Sequence, residues 1–283
     1  MKYVYINAAL RIKRRPILIE WLNGLKYILC LGDAGIIGNY YFFLDDYEES
    51  AFLIKFLSKE DTFVDVGSNL GHYTILSSGL IGARTISIEP VSKTFLRLKM
   101  NVEINKLKNV KMMKVGLSNK IGKLNISNNL GAMNRVLVNR ENKYSELIPV
   151  LTLDEVLRNE KNVSILKIDV EGYEKQILEG GCETLNNDNL KVIIIELNGY
   201  NEYYGYKEKE VFDILRRFQF IPYDFNPKIG KLIKLKKKNY LSWNTIFIRD
   251  LRYVENRLKK KTLIINKNNV LIRYNKPSST IYT

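Results

Sequence analysis

Residues 63–74, with the sequence FVDVGSNLGHYT, constrain the fold of this chain more than any other segment. Their apolar start suits a buried strand in the centre of a parallel sheet. Gly67 and Gly71 then let the backbone bend sharply, so that the next helix begins close to a bound ligand. The segment therefore predicts an α/β fold with a ligand pocket at the end of a strand.

A second strand, at residues 85–88, ends in Glu89, which follows Asp65 by 24 residues. That separation is the length of one strand–helix–strand crossover. A carboxylate at the end of the second strand accepts two hydrogen bonds from a ribose diol. The two segments together predict a pocket for a cofactor that carries adenosine.

The glycine spacing distinguishes between cofactors. A dinucleotide site needs Gly-x-Gly-x-x-Gly, in which the second glycine gives way to a pyrophosphate, but here Asn69 stands at that position. Asp65 and Asn69 offer hydrogen-bond acceptors rather than an anion-binding nest. This chemistry favours S-adenosylmethionine, which has an ammonium, a sulfonium and a ribose diol and no phosphate. An ordinary strand–turn–helix with incidental glycines is the alternative for this segment taken alone.

Residues 164–181 form a second motif, an apolar strand that ends in Asp169 and continues through a turn into a helix. Lys167 is unusual in it, because a charge inside a buried strand is costly unless it is paired. The two-residue alternation of strands places Lys167 on the same face as Asp169 and Glu171. Two interpretations stay open, an ion pair that fixes the strand end and a catalytic carboxylate tuned by an ammonium.

The blocks DVGSNLGHYT, IEP and LKIDVEGYE resemble the FkbM family of S-adenosylmethionine-dependent methyltransferases, over about residues 46–250. The resemblance implies a class I methyltransferase Rossmann-like fold. That fold has a seven-stranded, mostly parallel sheet with helices on both faces and a C-terminal antiparallel hairpin. It also implies O-methylation, often of sugar hydroxyls or polyketide-type products.

The resemblance also assigns residues by position. The methionine part of the cofactor is expected at the loop formed by Asp65, Gly67, Ser68, Asn69 and Gly71. Glu89 is expected to bind the ribose. Near the adenine the family usually has an acid, whereas this chain has Asn119, whose carbonyl oxygen is still able to accept a hydrogen bond.

Methyl transfer to an alcohol requires a base, because the hydroxyl must lose its proton. We take Asp169 as the first candidate, with Glu171 and Glu196 as alternatives and Lys167 holding the carboxylate. We expect no metal ion in the reaction. His72, the sole histidine of the sequence, is better explained as a packing or capping residue at a helix start.

Other segments complete the predicted sheet. Residues 110–115, 123–126 and 192–196 are further strand candidates, and segments 230–235 and 244–248 are predicted to form the closing hairpin. The strands that end at Asp65 and Asp169 should be neighbours, which would bring both acids to one crevice. Four tyrosines after Glu196 are interpreted either as a packed lid or as a contact for a sugar: Tyr200, Tyr203, Tyr204 and Tyr206.

We divide the chain into three parts. Residues 1–45 are an N-terminal extension with a helix and a hairpin that turns at 33–35, between segments 27–31 and 36–37. Residues 46–250 form the cofactor-binding domain, and residues 251–283 form a basic extension. The apolar stretch 16–31 is interrupted by charges and is too short for a membrane span, although peripheral membrane contact by the N-terminal part stays open.

The net charge of the chain complicates the choice of its substrate and partners. The chain carries 45 basic and 30 acidic residues, a net charge of +15, which suits an anionic substrate, a membrane surface or nucleic acid. We favour a small-molecule or carbohydrate acceptor. The alternatives are an RNA-modifying methyltransferase and a non-enzymatic cofactor-binding or membrane-surface adaptor. Two distant cysteines, Cys30 and Cys182, indicate neither a disulfide nor a zinc site, so we expect a cytoplasmic location. The sequence indicates no oligomeric state.

Overall fold

The computed structural model describes residues 10, 15–33, 36–39, 43–138 and 143–260, together with the backbone of strands at 263–267, 270–274 and 281–282. The strands are β1 (Ile17–Glu20), β2 (Lys26–Leu29), β3 (Thr62–Val66), β4 (Arg84–Ile88), β5 (Val110–Met113), β6 (Gly116–Leu117), β7 (Gly122–Ser127), β8 (Ser145–Leu151), β9 (Val163–Ile168), β10 (Val192–Glu196), β11 (Ile221–Asn226), β12 (Lys231–Lys234), β13 (Asn244–Ile248), β14 (Leu263–Lys267), β15 (Val270–Tyr274) and β16 (Ile281–Tyr282). The helices are α1 (Tyr47–Phe56), α2 (His72–Ile75), α3 (Ser92–Ile104), α4 (Leu153–Leu157), α5 (Glu174–Glu179), α6 (Cys182–Asn186), α7 (Glu208–Arg217) and α8 (Leu251–Lys260). Helix α2 continues as a π-helical turn over Leu76–Ile81, and 3-10 turns span Leu22–Gly24, Gly131–Met133 and Tyr200–Tyr204.

The main sheet has eight strands in the order β12-β11-β13-β10-β9-β3-β4-β5. Its centre is parallel, because β3 pairs with β4 and β9, and β9 pairs with β10. Strands β3 and β9 are buried along their whole length, as expected for apolar strands covered on both faces. Two apolar clusters form the core on the two sides of the sheet. The predicted α/β class is confirmed, and so is the pairing that makes Asp65 and Asp169 neighbours.

The far side of the sheet differs from the prediction of seven strands. Segments 230–235 and 244–248 do not pair with each other, because β11 lies between β12 and β13 and pairs antiparallel with both. The sequence hides β11, since Pro222 within it lacks the N–H that a strand normally donates. The strand tolerates the proline while its carbonyl still accepts the N–H of Leu235.

A separate three-stranded sheet, in the order β6-β8-β7, follows β5 in the chain. The predicted strand at 123–126 is the middle of β7, which pairs antiparallel with β8. We call β7, β8 and the residues between them, 122–151, the arm. The arm matters for the site because residues near its tip reach the cavity described below.

The N-terminal hairpin turns at a different place from the one predicted. Strands β1 and β2 pair around Asn23 and Gly24, which have φ angles of 51° and 79°. An Asn-Gly pair adopts left-handed φ easily and is a strong hairpin signal. The second strand predicted for this hairpin, at 36–37, is wrong because residues 36–39 are helical; residues 34 and 35 of the predicted turn lie outside the described residues.

The hairpin belongs to the same core as the sheet. Trp21 and Tyr27 are fully buried in the apolar cluster that also contains Phe52. Two N–H groups at the outer edge of β2 find acceptors at α3, since Ile28 donates to the side chain of Asn101 in that helix and Lys26 donates to the side chain of Asn105, which directly follows it. The division at residue 45 stays a proposal, and this packing joins the extension closely to the sheet.

Helix α8 docks on the outside of α1. Val254 and Leu258 are buried there, and Arg257 forms an ion pair with Asp61. Beyond α8, the backbone of β14 to β16 forms a small antiparallel sheet. No helix in the described part of the chain has both the length and the apolar composition that crossing a membrane requires.

Candidate functional site

A cavity of about 810 Å³ opens at the carboxyl ends of β3, β4, β9 and β10. This is the edge of the sheet at which ligands bind in open α/β folds. Eight acidic and four basic side chains line the cavity, although the whole chain has a net charge of +15. The cavity therefore has an acidic interior inside a basic protein, which favours a cationic ligand.

The glycine turn fixes the floor of the cavity. Gly67 has a φ of +79°, and a Cβ placed on it would lie 1.8 Å from the carbonyl oxygen of Asp169. The ends of β3 and β9 therefore approach each other more closely than any side chain allows. Asn69 is also left-handed, with a φ of 48°, and Gly71 has a φ of +93° where helix α2 begins.

Asp65 lies at the end of β3 and lines the cavity, but it is only 1% exposed. The hydroxyl of Thr74 donates to its Oδ2 at 2.7 Å. Burial raises the pKa of Asp65 to about 6, against the opposing charge of Lys167. Ser68 stabilises the turn itself, since its hydroxyl donates to the carbonyl of Asp65 at 2.8 Å.

Glu89 follows β4 and is held by two backbone donors. Its Oε2 accepts the N–H of Asn69 at 3.0 Å, and its Oε1 accepts the N–H of Val91 at 2.9 Å. Burial raises its pKa to about 7, although these hydrogen bonds favour the charged form. Each carboxylate oxygen keeps acceptor capacity, so both oxygens remain available to a diol in the cavity.

Lys167 is the cation at the centre of the cavity, 1% exposed on β9. Its ammonium donates to Asp169 Oδ2 at 2.7 Å and lies 4.7 Å from the centre of the Tyr73 ring. Burial alone would lower the pKa of Lys167, but the charge of Asp169 outweighs it and raises the pKa above its usual value. The predicted pairing of Lys167 with Asp169 is therefore present, and Lys167 stays charged.

Asp169, Glu171 and Glu196 form a carboxyl cluster, in which one oxygen from each group lies within 4.8 Å of the other two. Burial opposes charge on Asp169, but Lys167 holds its pKa below the usual value. Burial and the charge of Asp169 raise the pKa of Glu196 to about 9, which favours the protonated form of Glu196 at neutral pH. A neutral Glu196 beside an ionised Asp169 avoids the repulsion between two close carboxylates.

Glu171 behaves differently from its neighbours in the cluster. It has a left-handed φ of 55°, which ends the strand alternation and turns the chain toward Gly172. Asn198 donates to its Oε2 at 2.8 Å and to Glu196 Oε2 at 3.1 Å, which ties the two glutamates together. Burial and the charge of Asp169 raise the pKa of Glu171 to about 7.

Arg135 and Val136 of the arm line the cavity at the end that holds the carboxyl cluster. Tyr204 donates to the carbonyl of Val136 at 2.9 Å, which fastens the arm to the 3-10 turn after β10. The guanidinium carbon of Arg135 lies 4.8 Å from the centre of the Tyr200 ring and 5.6 Å from that of Tyr203. No acidic group among the described residues forms an ion pair with Arg135, which lines the cavity. Arg135 is not predicted from the sequence, because nothing in its local pattern marks it.

The positions of Asn119 and His72 bear on the roles predicted for them. Asn119 is exposed and donates to Glu179 at 3.1 Å, and it does not line the cavity. His72 is buried between Asn39 and Ser50, and burial lowers its pKa to about 3. The histidine is therefore a neutral packing residue.

The residues present fit S-adenosylmethionine. Asp65, Glu89 and Asp169 are carboxyl groups in a cavity with a single deeply buried cation, Lys167. A sulfonium and an ammonium would offset their charges, and Glu89 has the acceptors that a ribose diol needs. The tight turn at Gly67 lets backbone groups approach a ligand closely.

Residues 65–222 match the family model described as the methyltransferase FkbM domain. In sequence, no curated protein matches the chain significantly.

Three solved structures are similar in shape. The methyltransferase FkbM from Methylobacillus flagellatus KT has 13% identity and a TM-score of 0.46, with 76% of this chain and 52% of that chain covered. An rRNA methylase from Streptococcus thermophilus has 13% identity, a TM-score of 0.40 and coverages of 70% and 91%. M. jannaschii TYW2, solved in complex with AdoMet, has 13% identity, a TM-score of 0.41 and coverages of 83% and 87%. This chain thus spans about half the length of the first of these proteins.

Proposed function

This chain belongs to the FkbM methyltransferase family, and from that membership we propose that it methylates a hydroxyl oxygen of a sugar or another small polyhydroxylated acceptor. Its methyl donor is S-adenosylmethionine. The observation that carries the choice of acceptor is the carboxyl cluster, which offers several hydrogen-bond acceptors to hydroxyl groups at one point. Tyr200 and Tyr203, whose rings contact the cavity-lining Arg135, add flat apolar faces that suit sugar rings.

The acidic interior of the cavity supports a small acceptor over RNA. Phosphate groups would have to enter a space lined by twice as many acidic as basic side chains, which is unfavourable for an anion. The basic run at residues 234–238 does not change this, since none of its residues lines the cavity. Cys30 and Cys182 are free thiols, which supports our proposal of a cytoplasmic location.

In the proposed mechanism, the bound cofactor supplies an electrophilic methyl group on sulfur. The carboxyl cluster holds the acceptor hydroxyl in line with that methyl group, and orientation of this kind removes several kcal/mol of barrier. Asp65 and Glu89 would hold the donor, the donor would supply its methyl group to the acceptor oxygen, and Asp169 would take the proton of that hydroxyl. Lys167 keeps Asp169 ionised beforehand, and the proton on Glu196 spares the cluster a further charge. No step requires a metal ion.

A turnover assay with a labelled methyl donor tests this function. Glycan fragments and total RNA are offered separately, each with and without a chelator. We expect label on a glycan hydroxyl and no loss of rate with the chelator. Transfer to RNA alone would establish the RNA-modifying alternative, and donor binding without transfer to any acceptor would favour the adaptor alternative.

Donor binding is expected to depend on pH through Glu89. A cationic donor prefers the ionised carboxylate, so binding should weaken as pH falls through the pKa of about 7, by up to about tenfold per pH unit. Calorimetric titration of the donor from pH 8 to pH 6 measures this change. In Glu89→Gln the dependence near pH 7 should vanish, leaving the smaller effect of Asp65; an unaltered profile would contradict the assignment of Glu89.

Arg135→Ala is expected to raise the KM for the acceptor about tenfold while leaving the donor dissociation constant unchanged, since the guanidinium braces the tyrosine rings at the acceptor end. Arg217→Ala is the matched control, because Arg217 lies exposed on α7, away from the cavity. Steady-state kinetics with varied acceptor and saturating donor measure the effect. Equal KM values for the two variants would remove Arg135 from the acceptor site.

A further inference from the structure

The hairpin of β11 and β12 and the loop that follows it carry a surface that the methyltransferase site does not use. We call residues 228–243 the basic edge. It contains six lysines, and no aspartate or glutamate occurs between Asp224 and Asp250. Strand β12 is the outermost strand of the main sheet, so the lysines are concentrated at one border of the molecule.

Large apolar side chains stand out from the same border. Leu241 is 93% exposed and Tyr240 is 62% exposed. Ile229, Ile233 and Trp243 are each between 45% and 50% exposed. Single exposed apolar residues are ordinary, but a group of five on one short segment indicates an interaction surface.

Contacts of a buried lysine hold the loop that carries these residues in place. Lys238 is 8% exposed, and its ammonium donates to the carbonyl of Leu197 at 2.7 Å and to Glu208 at 2.9 Å. The same ammonium lies 4.9 Å from the centre of the Trp243 ring and 5.4 Å from that of Tyr240. The aromatic rings therefore have a fixed support, and their exposure is a property of a folded loop.

The basic edge also adjoins the acceptor end of the cavity. Leu197 directly follows Glu196, and its N–H donates to the carbonyl of Trp243 at 2.9 Å. A partner bound to the basic edge would therefore lie beside the end of β10, where Glu196 of the carboxyl cluster is located.

We propose that the basic edge docks on the surface of an anionic lipid bilayer. Lysines attract anionic headgroups, and tryptophan and tyrosine favour the boundary between headgroups and acyl chains. Leu241, Ile229 and Ile233 supply aliphatic groups that enter this boundary. A nucleic acid would use the lysines and the rings but has no apolar region for these aliphatic side chains.

The test uses the full chain with vesicles of phosphatidylcholine alone or with phosphatidylglycerol in equal parts. We expect co-sedimentation with the anionic vesicles only, weakening with added salt. The chain has two tryptophans; Trp21 is 1% exposed, so a blue shift of fluorescence on binding reports Trp243. This measurement needs no variant of the basic edge.

Two variants locate the contact. Lys236→Gln with Lys237→Gln, and separately Leu241→Ser, should each lower partitioning to anionic vesicles roughly tenfold. Leu96→Ser is the matched control, since Leu96 is 61% exposed on α3, outside the basic edge. The proposal is overturned if anionic vesicles do not bind the chain, if binding persists unchanged in both variants, or if Trp243 shows no shift. RNA retention that is lost in the lysine variant without vesicle binding would assign the edge to nucleic acid instead.

Discussion

Replacing Asp169 by asparagine is expected to lower kcat by at least about 100-fold, which is the usual contribution of a general base. Asp169 is the carboxyl group of the cluster that stays ionised throughout the neutral range, since Lys167 holds its pKa below the usual value. Asparagine keeps the size of the side chain and cannot take a proton from the acceptor. Because Asp65 and Glu89 are unchanged, the donor dissociation constant should rise much less than kcat falls. Rapid-quench kinetics and calorimetry measure the two effects.

The pH profile of kcat separates Asp169 from Glu171 as the base. A base must be deprotonated, so catalysis by Glu171 would fall as pH drops through its pKa of about 7. Catalysis by Asp169 should stay level across that range at saturating donor and acceptor. Asp213→Asn serves as the control, because Asp213 is also an ion-paired aspartate but lies on α7, away from the cavity. Unchanged turnover in Asp169→Asn, with a large loss in Glu171→Gln, would move the base to Glu171.

Gly67→Ala is expected to destabilise the fold by about 4 kcal/mol or more, because strain and overpacking act at one position. A methyl group at Gly67 would meet the carbonyl oxygen of Asp169 at 1.8 Å, so the ends of β3 and β9 would have to separate. That separation would displace Asp169 and the glycine turn, which we propose lies under the cofactor. We therefore expect loss of donor binding together with a lower midpoint of denaturant unfolding.

Gly82→Ala isolates the contribution of the close approach. Gly82 has a φ of +82°, nearly the same as Gly67, but a Cβ there would meet only the Lys59 side chain at 3.9 Å. The backbone strain alone should cost about 1–2 kcal/mol, with donor binding intact. If the two alanine variants unfold at the same denaturant concentration, the contact between β3 and β9 is less demanding than the structure indicates.

Local patterns predicted much of the central fold. The buried strand before Gly67 and the one before Asp169 each carry their own signal, and parallel pairing follows from strands that alternate with helices. The far edge was harder to predict. Pro222 weakens the strand signal of β11, and the turn at Asn23 and Gly24 competes in the sequence with the glycine-containing segment at 33–35. In both places short segments were compatible with more than one partner.

The sequence by itself determined the glycine turn, the carboxylates at the strand ends and hence the family, because these features depend on residues close together in the chain. Only the tertiary structure decided which of the carboxyl groups are charged, since pKa values depend on burial and on neighbours such as Lys167 that the fold brings to Asp65 and Glu196. It also decided that Arg135 reaches the cavity and that Asn119 does not. The positions of these two side chains follow from the packing of the arm and of α5, which no local pattern encodes.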